Sequence, residues 1–101
     1  MNRSCAIVGL LCGWVLWMEA DVIVAGKSSR FWRLLGAEEA KAGCETLRTD
    51  KIKARHTPPT GDGWKLKISG SMVDETNADK GIYRTYTYWC LPAGTDPRPR
   101  S

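Results

Sequence analysis

One histidine, His56, is the only imidazole in 101 residues, and this scarcity removes more chemistry than any other feature of the composition. A structural zinc site needs four ligands at characteristic spacing; here a single histidine would have to join cysteines that a disulfide would consume. A hydrolytic nucleophile needs a base and a group that orients the base. Nothing in the proline-flanked stretch around His56 specifies such partners, so it reads as a solvent-exposed residue at a helix end, with a small hydrolase using His56 as the alternative. A glycine-rich phosphate loop is missing in either standard form. The acidic stretch Asp74-Glu75-Thr76-Asn77-Ala78-Asp79 has neither the central glycine nor the closing glutamate of a calcium loop, and reads as a polar hairpin loop. No cofactor and no metal are expected. The charge excess is small as well: +4 net, with both signs mixed along the chain, which disfavours nucleic acid as a partner. Hydrophobic residues at 43% and charged residues at 26% suggest neither disorder nor a membrane bundle.

Apolar runs long enough to cross a bilayer are also lacking. Met1-Asn2-Arg3-Ser4 carries one positive charge, and the uncharged stretch from Cys5 to Met18 stops at Glu19, short of the roughly 20 residues a spanning helix needs. It matches the apolar segment of a secretory leader. Cleavage after Gly13, Ala20 or Ala25 is open, each site having one bulky residue at the third-last position; a lipidated Cys12 would follow the bulky Leu11. Trp14-Val15-Leu16-Trp17-Met18 suits a strand better than a leader's end, so residues 1–13 are assigned to the leader, with a boundary that could reach 25. Residues 14–91 then form one domain and residues 92–101 an extended Pro/Arg tail. No stable transmembrane segment is expected after processing.

A strand from Trp14 and another from Arg30, separated by a turn at Gly26-Lys27-Ser28-Ser29, predict a hairpin. From Ala37 to Arg55 the period changes: Ala37, Ala40, Cys44 and Leu47 recur at steps of three and four, one stripe of a helix. Glu38 and Glu39 fall in its first turn and Lys51, Lys53 and Arg55 near its end, complementing the helix dipole. Gly43 inside it costs about 1 kcal/mol against Ala, which close packing on the sheet would explain. His56-Thr57-Pro58-Pro59 ends the helix. Trp64 to Ser69 alternates as a half-wet strand should, a polar loop runs from Gly70 to Gly81, and Ile82 to Cys90 is a long strand.

The simplest fold that buries these faces is α+β: a small antiparallel sheet, strand-strand-helix-strand-strand, with one helix on one face. Ile82, Tyr86, Tyr88 and Cys90 share the strand face towards the helix, and Cys44 lies on the helix stripe. A Cys44–Cys90 disulfide is expected to pin helix to sheet, which places the protein in an oxidising compartment.

The sequence resembles a group of small exported bacterial proteins with no assigned activity. The likeness rests on Trp14-Val15-Leu16-Trp17 after an apolar leader, a cysteine within the acidic stretch Glu39 to Glu45, and Cys90-Leu91-Pro92 followed by Asp96-Pro97-Arg98. It does not cover Thr57 to Gly81, and Ala93 stands where an acidic residue is common in the group. The resemblance implies a mature chain beginning at Trp14 and the same Cys44–Cys90 pairing, and it implies no chemistry.

Tyr83, Thr85, Thr87 and Trp89 fall on the strand face opposite Cys90. Unless Trp17, Trp32 or the tail covers them, they form an aromatic surface that could stack bases or sugars, or dock a protein. In the tail, Pro92, Pro97 and Pro99 with Arg98 read as a frayed terminus or as an extended recognition segment. The expected role is a non-enzymatic, periplasmic or secreted binding module whose partner is an envelope protein; the alternative is an inhibitor or accessory subunit of an envelope enzyme. Oligomeric state leaves no mark in the sequence.

Overall fold

The computed structural model describes residues 13–56 and 63–99. The expected leader, except Gly13, and with it Cys5 and Cys12, lies outside the described residues, as does the proline-bearing loop 57–62.

Strand β1, Trp14–Val24, carries the apolar run. Val15, Leu16, Trp17 and Met18 are all buried, so both faces of its first half are covered, as an unbroken apolar run in a central strand demands. Strand β2, Lys27–Glu38, pairs with it antiparallel. The turn is tighter than expected: Lys27, Ser28 and Ser29 belong to β2, and only Ala25 and Gly26 turn, both at positive φ (51° and 80°), as a two-residue I′ hairpin requires. Between Leu16 and Trp17 the register slips, leaving Leu35 as the extra residue of a bulge that redirects the end of β2.

That bulge corrects the expected start of the helix. Ala37 and Glu38 remain paired to Val15 and Trp14, and helix α1 runs only from Lys41 to Arg55, without an acidic residue in its first turn. Sequence period could not separate a strand continuing through a bulge from the first turn of a helix. The basic end is as expected, with Lys53 and Arg55 in the last turn. At Gly43 an added Cβ would sit 3.1 Å from the Glu38 carboxylate, so the glycine admits the end of β2 against the helix.

Strand β3, Trp64–Ser69, forms as predicted, with Trp64 and Leu66 half-buried, but Ile68 on the same face is exposed. The next segment does not loop. Met72–Asn77 forms β4, a strand the sequence reading missed, followed by a 3-10 turn at Ala78–Lys80. Its inward residues are Val73, Glu75 and Asn77, all buried. Two polar side chains out of three erase the apolar alternation by which a strand is recognised. Strand β5, Ile82–Pro92, pairs antiparallel with both β1 and β4.

The result is a five-stranded antiparallel sheet in the order β2-β1-β5-β4-β3, with α1 crossing one face over β1, β2 and β5. Leu16, Met18 and Ala20 of β1, Tyr88 of β5, Val73 of β4 and Cys44 and Ile52 of α1 form the core. Each fully buried large apolar side chain contributes about 1.5–3 kcal/mol. The Cys44–Cys90 disulfide joins α1 to β5 across that core, Cα to Cα 6.0 Å. No helix among the described residues is long and apolar enough to cross a membrane.

Candidate functional site

Two regions concentrate chemistry, one on each face of the sheet. The first overturns the expectation for His56. It is not exposed: the helix ends against β4 and β5, and His56 is only 7% accessible. Its backbone N–H donates to the Ile52 carbonyl, closing α1. The ring lies 4.8 Å from the Tyr86 ring and edge-on to Tyr88. Nδ1 is 3.1 Å from Glu75 Oε2 and Nε2 is 2.7 Å from the Tyr88 hydroxyl. With the imidazole neutral both bonds are satisfied by one tautomer: Nδ1–H donates to the carboxylate, and the Tyr88 hydroxyl donates to Nε2. Burial raises the Tyr88 pKa, partly offset by the nearby Arg55, which keeps that hydroxyl a donor. Burial, and then the Glu75 charge, raise Tyr86 in the same way.

Arg84 Nη1 reaches the other Glu75 oxygen at 3.4 Å, and its guanidinium lies 4.9 Å from the centre of the Trp64 ring. Arg55, His56, Glu75, Arg84 and Tyr86 line an open cleft of about 440 Å³. The carboxylate–imidazole–hydroxyl chain has the order of a hydrolytic triad, but the hydroxyl belongs to Tyr88, which is 1% accessible, so it is not presented to a substrate. What the chain does is lock the helix end onto the sheet. Among the described residues no group of three His, Cys, Asp or Glu side chains could hold a metal.

Sequence reasoning misses Glu75, Tyr86 and Tyr88 as partners of His56, and Arg84 as the partner of Glu75. Glu75 reads as a loop residue, and only the strand pairings Glu75↔Arg84 and Val73↔Tyr86 bring these side chains together. The one available signal was alternation itself: Val73, Glu75 and Asn77 fall on every second position.

The second region is the sheet face away from α1. Trp17↔Trp89, Glu19↔Thr87, Asp21↔Thr85 and Ile23↔Tyr83 are cross-strand partners there. Tyr83 and Trp89 are each 43% accessible, and Thr85 and Thr87 half-buried between them. The Trp89 indole donates to Glu19 Oε1 (3.3 Å) and the Thr85 hydroxyl to Asp74 (2.9 Å). Arg30 Nε donates to Asp21 at 2.6 Å and lies 3.5 Å from Glu19; the hydrogen bond to Asp21, then its charge and that of Glu19, raise the arginine's pKa. Arg98 reaches the Trp17 end of this face and lies outside the strand row itself. The tail turns after Pro92, with Ala93 N–H donating to the Gly13 carbonyl, and sets the Arg98 guanidinium 5.2 Å from the centre of the Trp17 ring. Side-chain and backbone hydrogen bonds from Arg98 hold the Asp96 carboxyl down to about 2. The indole N–H groups of Trp17 and Trp32 are buried without an acceptor among the described residues.

No family model, curated protein or solved structure matches the chain.

Proposed function

We propose that the protein is an exported, disulfide-stapled binding module whose contact surface is the sheet face opposite the helix, and that its partner is a protein of the cell envelope. The observation that carries this reading is the exposure of Tyr83 and Trp89 on a face that no helix among the described residues covers, beside exposed Ile23, Leu34 and Met72. Aromatic residues, methionine and arginine are what protein interfaces enrich. Arg30 on this face meets two carboxylates, Asp21 and Glu19. That cluster is net negative and does not attract a polyanion. Export is supported by the Cys44–Cys90 bond, since disulfides persist in oxidising compartments.

The test places a photo-crosslinking amino acid at Trp89, at Tyr83 and, on the helix side of the sheet, at the exposed Phe31. A discrete adduct with another envelope protein from the first two positions and none from the third is expected. Equal labelling from both faces, no adduct, or an adduct of two copies of this chain would each reject the reading. Intact mass of the protein from its host tests export: it should begin at Trp14, lighter by the two thiol hydrogens of a closed bridge.

A further inference from the structure

The cleft at the C-terminal end of α1 holds more positive charge than its ion pairs consume. Glu75 is the only carboxylate among the described lining residues, and both of its oxygens are engaged, one by His56 and one by Arg84. Against that single negative charge stand two guanidinium groups, so the described lining carries a net positive charge with the imidazole neutral. Each guanidinium offers five N–H donors in a rigid planar fork and no acceptor. Arg84 directs donors to Glu75 at 3.4 Å and to the Tyr86 hydroxyl, which together use only part of its fork, while the Trp64 ring supports its plane. Arg55 adjoins His56 in the chain, and His56 is anchored at its backbone and both ring nitrogens. Both cations therefore stand on backbone that is held in place. The volume, about 440 Å³, falls within the range of small-molecule sites, about 300–1,000 Å³.

We propose that this cleft binds a compact oxyanion, a carboxylate or phosphate group, gripped in bidentate fashion by Arg84 with Arg55 as the second cation and the Tyr86 hydroxyl as a neutral donor. Planar forked donors match these groups and discriminate them from a spherical halide. His56 and Glu75 are positioning residues: Glu75 orients Arg84, and His56 fixes Glu75 and the end of the helix. The site lies on the helix side of the sheet and stands independently of the proposed protein-binding face.

The test is a titration of the oxidised full chain with sodium phosphate, and in a separate arm with sodium acetate, at constant ionic strength in sodium chloride, followed by ¹H–¹⁵N spectra. Saturable shifts of the Arg84 and Arg55 side-chain Nε–H signals are expected in at least one arm, and the arm that saturates identifies the group. Arg84→Gln should weaken binding about tenfold or more; Arg84→Lys, which keeps the charge but not the fork, should restore only part of it; Arg98→Gln on the other face should change nothing. Arg55 also stabilises the C-terminal end of the helix through its dipole, so Arg55→Gln is read by the affinity of the folded protein, and it carries the comparison alone if Arg84→Gln does not fold. Shifts that rise linearly without saturation in both arms, or saturable shifts unaltered by these substitutions, would overturn the proposal.

Discussion

Opening the bridge between α1 and β5 is the sharpest perturbation of this fold. Cys44 and Cys90 are 46 residues apart in sequence, so the bond removes from the unfolded chain the freedom of a loop of that length. The chain-entropy relation converts this to about 4 kcal/mol at 25 °C, a large part of the 5–15 kcal/mol by which domains are usually stable. For urea slopes of about 1–2 kcal/mol/M, the midpoint of the reduced protein should fall by about 2–4 M; in a thermal scan the loss corresponds to roughly 15–30 °C. Reduction keeps both sulfur atoms in place and so isolates the crosslink. The Cys44→Ala/Cys90→Ala variant should lose the same amount plus a packing term, because Cys44 is wholly buried and its truncation leaves space in the core. The assay is equilibrium urea unfolding followed by tryptophan fluorescence and far-ultraviolet circular dichroism, with coincident transitions as the check on two-state behaviour. If reduced and oxidised protein unfold within about 1 kcal/mol of each other, loop closure is not what stabilises this domain, and the placement of the helix must rest on apolar packing alone.

Four further outcomes are expected. His56→Ala leaves the Glu75 carboxylate, 12% accessible, and the Tyr88 hydroxyl without their shared partner, and should destabilise by about 2–4 kcal/mol in urea; a loss below about 0.5 kcal/mol would mean that water replaces the imidazole at no cost. Tyr86 and Tyr88 have folded pKa values raised above the ordinary 10.0, so the stability they confer is complete below pH 10 and declines as pH rises through their folded values; a urea midpoint that does not fall above pH 10 refutes this. Asp96 is held at about 2 against an ordinary 3.8, so the Asp96–Arg98 pair should persist above pH 3.8 and be lost only as pH falls towards 2, read from the carboxyl carbon shift; titration at 3.8 would show that the tail does not hold its turn. Ala25, at φ 51° in the hairpin turn, carries a left-handed strain of about 1–2 kcal/mol, and Ala25→Asn should stabilise the domain by up to about 1 kcal/mol; destabilisation would contradict the turn geometry.

Much of the architecture was legible because local chemistry and tertiary environment agree. The Trp14 strand, the hairpin, the helix through Cys44 and the long aromatic strand each carry a period that solvent on one side and core on the other would impose. Where the environment departs from that rule the reading failed. Glu75 and Asn77 point into the domain as polar residues, so β4 looked like a loop. The bulge at Leu35 lets β2 continue to Glu38, so its end was counted into the helix. His56 was read as exposed because its partners come from β4 and β5, across sequence separations of 19 and 32 residues.

The residues alone therefore determined the class of fold, the helix through Cys44, the faces that bring Cys44 and Cys90 together and the face on which Tyr83 and Trp89 lie, since each face follows from backbone periodicity acting over a few neighbouring positions. Only the tertiary structure decided that the Gly70–Gly81 segment holds a strand, Met72–Asn77, that the one imidazole is buried between a carboxylate and a phenol, and that two arginines face a common cleft. A buried polar group is stabilised by hydrogen bonds to partners distant in sequence, and pairings across a sheet have no local period by which they could be recognised beforehand.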